Sequence, residues 1–232
     1  SMFEYQFSEQ YGSVLYSFVG VKIFVHECYF VNNTAHNGGC AYLFGSLSSQ
    51  LVSIKTNVFR HNSAIQAGGC FNIRLFTNVI IERNVFKKNA ALYKRGGSTY
   101  VESIENFTVA QTYFIMNKAI LSHGGSIFSL QIKEVLICGC TFMFNQAETG
   151  GGAGFFMDPI HIFIVDPILY RNSAGSEGGA VSVSLPSASI VSNICISNSH
   201  FSKNATRDSG TALAILGVTE AHLQDTQFDS SI

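Results

Sequence analysis

Charge is scarce in this chain of 232 residues: Asp, Glu, Lys and Arg together make up 12%, and the formal net charge is −1. Such a balance gives no general pull toward nucleic acid or an anionic membrane. Long hydrophobic runs are missing too. No apolar stretch reaches 18 residues, the length that reads as a membrane-spanning helix. The most apolar stretches, VGVKIFVHECYFV and PIHIFIV, carry polar breaks and fit buried strands. The amino terminus has no secretory leader pattern, and Ser1–Met2 reads as the remnant of a cleaved tag. No amphipathic helical stretch covers either end. An uncapped array exposes strand edges, so the expectation is a piece of a longer repeat protein.

What the chain has is repetition. Phe-x-x-Asn recurs at Phe30–Asn33, Phe59–Asn62, Phe86–Asn89, Phe114–Asn117, Phe142–Asn145 and Phe201–Asn204, with Leu169–Asn172 as a Leu variant. Phe228 opens one more copy, with Ser231 where Asn should stand, and the mean period is about 28 residues. An Ala follows two residues after most of these Asn, and then a Gly pair, from Gly38–Gly39 to Gly178–Gly179. A fixed period in this range marks a solenoid. Gly pairs and β-branched residues are poor in helix interiors. Upstream of each Phe, apolar residues alternate with period two, as in Val79 and Ile81 or Ile194 and Ile196. That is strand patterning. The unit therefore reads as one coil of an all-β, right-handed parallel β-helix of about eight coils, one domain over residues 1–232. The hand follows the crossover rule for parallel strands.

In such a stack, equivalent residues lie about 4.8 Å apart. Inward Phe side chains then form a core ladder, each worth roughly 1.5–3 kcal/mol by burial. The Asn is placed at the bend, where it tolerates left-handed backbone and bonds its neighbour's amide with both donor and acceptor. The Gly pair permits positive φ at the next corner. The segment FSEQYGSV reads as a degenerate earlier coil.

Six cysteines are present. Cys40 and Cys70 follow the Gly pair on adjacent coils, within Cα range of a disulfide but with parallel Cβ vectors. All six are read as small buried thiols. Cys138 and Cys140 form one CxC with no second pair to complete a zinc set. The sequons at Asn32, Asn106 and Asn204 are of a number that chance supplies in a chain this rich in Asn and Ser.

Aligned, the repeats resemble those of the chlamydial polymorphic outer-membrane protein family. The motifs carrying the resemblance are FVNN, FRHN, FKKN, FIMN, FMFN and FSKN, with the looser Gly-Gly partners GGCA, GGCF, GGST, GGSI, GGGA and GGAV. The resemblance spans the chain from about residue 20. It implies a right-handed β-helix passenger, extracellular or displayed at a cell surface, often adhesive.

Parallel β-helices also host polysaccharide lyases and hydrolases, which need paired carboxylates on an outward face. Only five Asp occur. Asp166 and Asp225 share a column with Asn198 between them. The best remaining cluster is His123, Glu148 and Glu177 at the corner before the Gly pairs, with Arg207 and Asp208 next. It reads as a solvated corner or, alternatively, as an acid–base or metal line. No cofactor is implied. No Thr-x-Thr array for ice binding recurs.

The two residues between Phe and Asn are expected to point outward, giving a stripe along one side. A basic segment at Arg60, Lys87 and Lys88 runs into an apolar one at Ile115, Met116, Met143, Phe144 and Tyr170. Contiguous exposed apolar side chains mark an interaction surface. Adhesion to a protein or glycan is the first reading; a bulge or the loop at Ile120 and Leu121 covering the stripe is the alternative. A spacer or fibre segment, stacking head to tail through open ends, is the other non-enzymatic reading.

Overall fold

The computed structural model describes residues 1–18, 22–46, 50–185 and 193–229. Among them every regular element is a β-strand, and every strand pairing is parallel. Three sheets run along a solenoid. The first holds nine strands, Met2–Glu4, Tyr29–Val31, Val58–Arg60, Val85–Lys87, Tyr113–Ile115, Thr141–Met143, Ile168–Tyr170, His200–Ser202 and Gln227–Asp229. Nine passes make about eight coils. The second sheet contains the short strands after each ladder Asn, such as Ala90–Ala91 and Lys118–Ala119. The third contains the strands on either side of the next bend. In the middle three coils these fuse into the twelve-residue strands Phe71–Glu82, Thr99–Ala110 and Ile127–Cys138.

The stack begins one coil before the Phe30 copy. Phe3 pairs with Phe30, and the Gln6 backbone N–H donates to Asn33 Oδ1 at 2.9 Å. Phe3-Glu4-Tyr5-Gln6 is thus a Phe-x-x-Gln version of the motif, hidden from the repeat count by its Gln.

The Phe column is a stack of rings. Centroids of Phe30 and Phe59 lie 4.8 Å apart, Phe59 and Phe86 4.7 Å, Phe86 and Phe114 5.0 Å, Phe114 and Phe142 4.8 Å. Leu169 and Phe201 continue it, both buried. Phe228 departs from the expected core position. It stacks on Phe201 at 4.9 Å but is 46% exposed, because it lies in the last strand of the sheet and no further coil covers it among the described residues.

Beside the rings runs a polar spine. Asn33, Asn62, Asn89, Asn117, Asn145, Asn172 and Asn204 are all buried. Each Nδ2 donates to the next Oδ1, for example Asn89 to Asn117 at 3.0 Å and Asn145 to Asn172 at 2.9 Å. That Oδ1 also accepts the backbone N–H of the preceding ladder Asn, as Asn117 Oδ1 does from Asn89 at 3.0 Å. Nδ2 reaches back to the carbonyl of the Phe one coil earlier, as Asn117 does to Phe86 at 3.0 Å. The bend's orphaned backbone groups are thereby satisfied, which burial requires. The left-handed residue is not the Asn, as its tolerance suggested, but the one before it: His61, Lys88, Met116, Phe144, Arg171 and Lys203 all have φ near +55°. The Asn supplies hydrogen bonds; its predecessor makes the turn.

The Gly pairs divide two tasks. The first Gly has positive φ, as at Gly96 and Gly124. The second permits close backbone approach: a Cβ on Gly97 would overlap the carbonyl oxygen of Gly125 in the next coil.

Candidate functional site

Outward side chains of the nine-stranded sheet form a ridge. Register places Arg60, Lys87, Ile115, Met143 and Tyr170 side by side on successive strands. Backbone bonds from His61 to Lys87, Lys88 to Ile115, Met116 to Met143 and Phe144 to Tyr170 set the turn residues in a second column beside it. Ile115, Met143 and Tyr170 are half-buried. Met116 and Phe144, held out by their left-handed backbone, are 44% and 37% exposed. The loop at Ile120 and Leu121 does not cover them, and Leu121 is itself exposed.

A third column was not read from the sequence. The residue before each Phe also faces outward, since side chains alternate along a strand. It contributes Val58, Val85, Tyr113 and Ile168, with Tyr113 52% and Ile168 51% exposed. The signal was the period-two rule applied on the other side of the Phe.

The apolar centre is bracketed by cations. Arg60, Lys87 and Lys88 lie at one end, Arg171 and Lys203 at the other. Arg171 sits 5.2 Å from the Tyr170 ring centroid and Lys203 5.8 Å. Phe144 meets Tyr170 edge to face at 5.6 Å. From Val58 to Lys203 these three columns contain no Asp or Glu. Desolvation, and then Arg60, Lys88 and Lys87, hold the His61 pKa below its ordinary value.

The corner of His123, Glu148 and Glu177 does not assemble. His123 lies alongside Gly150, and Gly150 bridges to Glu177, so Gly150 separates the two. Glu148 sits in another column, its N–H bonded to Ala119. The physical reason is turn length: His123 ends a four-residue turn and Glu177 a three-residue one, whereas Glu148 begins its turn. The His123 ring instead packs 4.4 Å from Phe155, edge to face. Burial, and then Arg95, hold its pKa down at about 4. No group of three His, Cys, Asp or Glu side chains suited to a metal ion occurs among the described residues. Asp166, Asn198 and Asp225 are left-handed turn residues.

The six cysteines are free thiols, but only Cys40, Cys70 and Cys140 are buried as expected; Cys28, Cys138 and Cys195 are half-buried. Burial raises the Cys70 pKa and pushes Cys140 up to about 12. Of the three sequons, Asn204 is locked in the buried ladder, donating to Leu169 O at 2.8 Å. No helix among the described residues is long and apolar enough to cross a membrane.

The chain matches no family model, no curated protein and no solved structure. Its reading therefore rests on the solenoid and its surfaces.

Proposed function

We propose that this chain is a non-enzymatic segment of an extracellular or surface-displayed repeat protein, acting in adhesion or recognition through the ridge. The likeness of its Phe-x-x-Asn and Gly-Gly motifs to chlamydial-type polymorphic outer-membrane repeats supports a passenger of that kind. The observation that carries the reading is the ridge: exposed Tyr113, Met116, Phe144 and Ile168, flanked by cations with no carboxylate among them. Aromatic and Met side chains are frequent interface anchors, and the flanking charge suits an anionic protein or glycan surface. The scaffold leaves this ridge free to serve binding, because the Phe and Asn ladders stand behind it and carry the fold.

The test is adhesion of beads coated with the purified chain to an immobilised, heavily sialylated glycoprotein and to cultured cells. Met116→Ser/Phe144→Ser should cut retention about tenfold or more, as expected for losing an anchor worth 1.4 kcal/mol or above, with the melting temperature unchanged. Retention no better than that of uncoated beads, or equal retention of the double variant, would refute the proposal.

A further inference from the structure

A second surface lies on another face of the solenoid, where the third sheet meets the turns before the Gly pairs. Its outward column reads Tyr16, Tyr42, Asn72, Tyr100, Phe128 and Phe155 on successive strands. Asn72 interrupts a run of aromatic rings. Tyr100, Phe128 and Phe155 stack at 5.6 and 5.5 Å, nearly parallel, and are buried beneath the turns as a small second core with Ala67. Arg74 folds over the interruption. Its Nε donates to Asn72 Oδ1 at 2.9 Å and its guanidinium lies 5.0 Å from the Tyr100 centroid.

Here the surface forms a cleft of about 500 Å³, lined by Ala67, Arg74, Lys94, Arg95, Tyr100, Glu102 and Ser122. That volume falls within the range of small-ligand sites. Its charge is unbalanced. Three cations face one carboxylate, and Glu102 is engaged already: its Oε2 accepts from Tyr100 Oη at 2.8 Å and lies 3.1 Å from Arg74 Nη1. Arg95 spreads over Phe128 at 4.5 Å and has no carboxylate partner among the described residues. Lys94 is exposed and likewise without one.

We infer that this cleft is a binding site for an acidic saccharide, a sugar bearing a carboxylate or sulfate. The planar Arg95 fork and the Lys94 ammonium are suited to the anionic group. Glu102 disfavours a bare polyanion, and its second oxygen serves sugar hydroxyls, which both donate and accept, as does Ser122 Oγ beside its hydrogen bond with His123 Nδ1 at 3.2 Å. A ligand meeting both halves carries an anion and hydroxyls together. The site is independent of the ridge and shares no residue with it.

Titration calorimetry at low salt tests it with four probes: a sulfated disaccharide, digalacturonate, a neutral galactose disaccharide and sodium sulfate. One or both acidic disaccharides should bind, weakening with salt, and the responding arm identifies sulfate or carboxylate as the group. Lys94→Gln/Arg95→Gln should weaken that binding at least tenfold with the melting temperature unchanged. Lys22→Gln/Lys133→Gln, which lowers net charge equally at exposed positions outside both the cleft and the ridge, should not. The inference is overturned if neither acidic disaccharide binds, or if the neutral sugar or inorganic sulfate binds as tightly. An equal loss in both double variants, or loss in Lys22→Gln/Lys133→Gln alone, overturns it as well.

Discussion

Replacing Asn117 by Ala removes five hydrogen bonds from the middle of the buried spine. Asn117 Oδ1 accepts from Asn89 N and from Asn89 Nδ2, both at 3.0 Å; its Nδ2 donates to Phe86 O at 3.0 Å, to Asn145 Oδ1 at 3.2 Å and to Ser126 Oγ at 3.4 Å. The partners do not suffer equally. Asn89 Nδ2 keeps Phe59 O, and Asn145 Oδ1 keeps the Asn117 backbone N–H. The Asn89 backbone N–H is left with nothing, in a site closed to water. Orphaning one buried donor costs about 1–3 kcal/mol, and the remaining losses add roughly 1 kcal/mol. The expected cost is therefore about 2–4 kcal/mol. Asn78→Ala is the matched comparison. Its Nδ2 donates to Gln50 O at 3.2 Å at an exposed position and its Oδ1 accepts from Asn106. Water replaces those partners, so the cost should be about 1 kcal/mol or less. Urea unfolding followed by circular dichroism gives both values from the midpoints, provided the slopes agree. Asn117→Asp adds a sign. It keeps the acceptor for Asn89 but sets a carboxylate against Phe86 O and Asn145 Oδ1, which raises its folded-state pKa above the unfolded value near 3.9. This variant should approach wild type below that pH and lose stability as pH rises through it. Equal midpoints for Asn117→Ala and Asn78→Ala would refute the load-sharing spine.

His123, held at about 4 by burial and then Arg95, is neutral when folded but protonates near 6.5 when unfolded. Its stabilisation is present above pH 6.5 and is lost as pH falls toward 4, by about 1 kcal/mol from pH 7 to 5 after allowing for its partial exposure. His123→Gln should flatten that part of the stability profile, and an unchanged profile would refute the assignment. A thiol reagent should label Cys28, Cys138 and Cys195 in the native protein and all six thiols only in denaturant, since Cys40, Cys70 and Cys140 are buried; four thiols in denaturant without reductant would reveal a Cys40–Cys70 disulfide. Gly97→Ala should lower the melting temperature by several degrees, because its Cβ would overlap the Gly125 carbonyl, whereas Phe144→Ser should leave it within a degree or two.

The parts that were legible in the sequence are those where residue identity repeats. Phe and Asn recur because each rung presents the same environment to the same side chain, and phase alone revealed the strands. The second spine escaped notice because its column is chemically mixed. Asn57 Nδ2 donates to Asn84 Oδ1 at 3.0 Å, and the Asn84 N–H then meets Thr112 Oγ1 at 3.3 Å. Hydroxyl and amide serve the same need there, so no single letter recurs. Turn length hid the rest. Counting forward from Ala puts His123 and Glu177 at different positions, whereas counting back from Gly puts them in one column with Gly150 between. The cleft at Arg95 depends on such a turn and on a single Asn within an aromatic column, neither of which has a period.

The coils are joined to one another by hydrogen bonds that run along the solenoid axis. Tension applied along that axis therefore loads every bond of one coil boundary together, and the polar spine carries part of the load at each bend. Once a boundary parts, the coil that peels away frees about 28 residues, or roughly 90–100 Å of extended chain, in place of a rise of about 4.8 Å. Each coil contacts only its neighbours, so the remainder of the stack keeps its surfaces. Such a rod resists pulling up to a threshold and then lengthens by coil-sized steps.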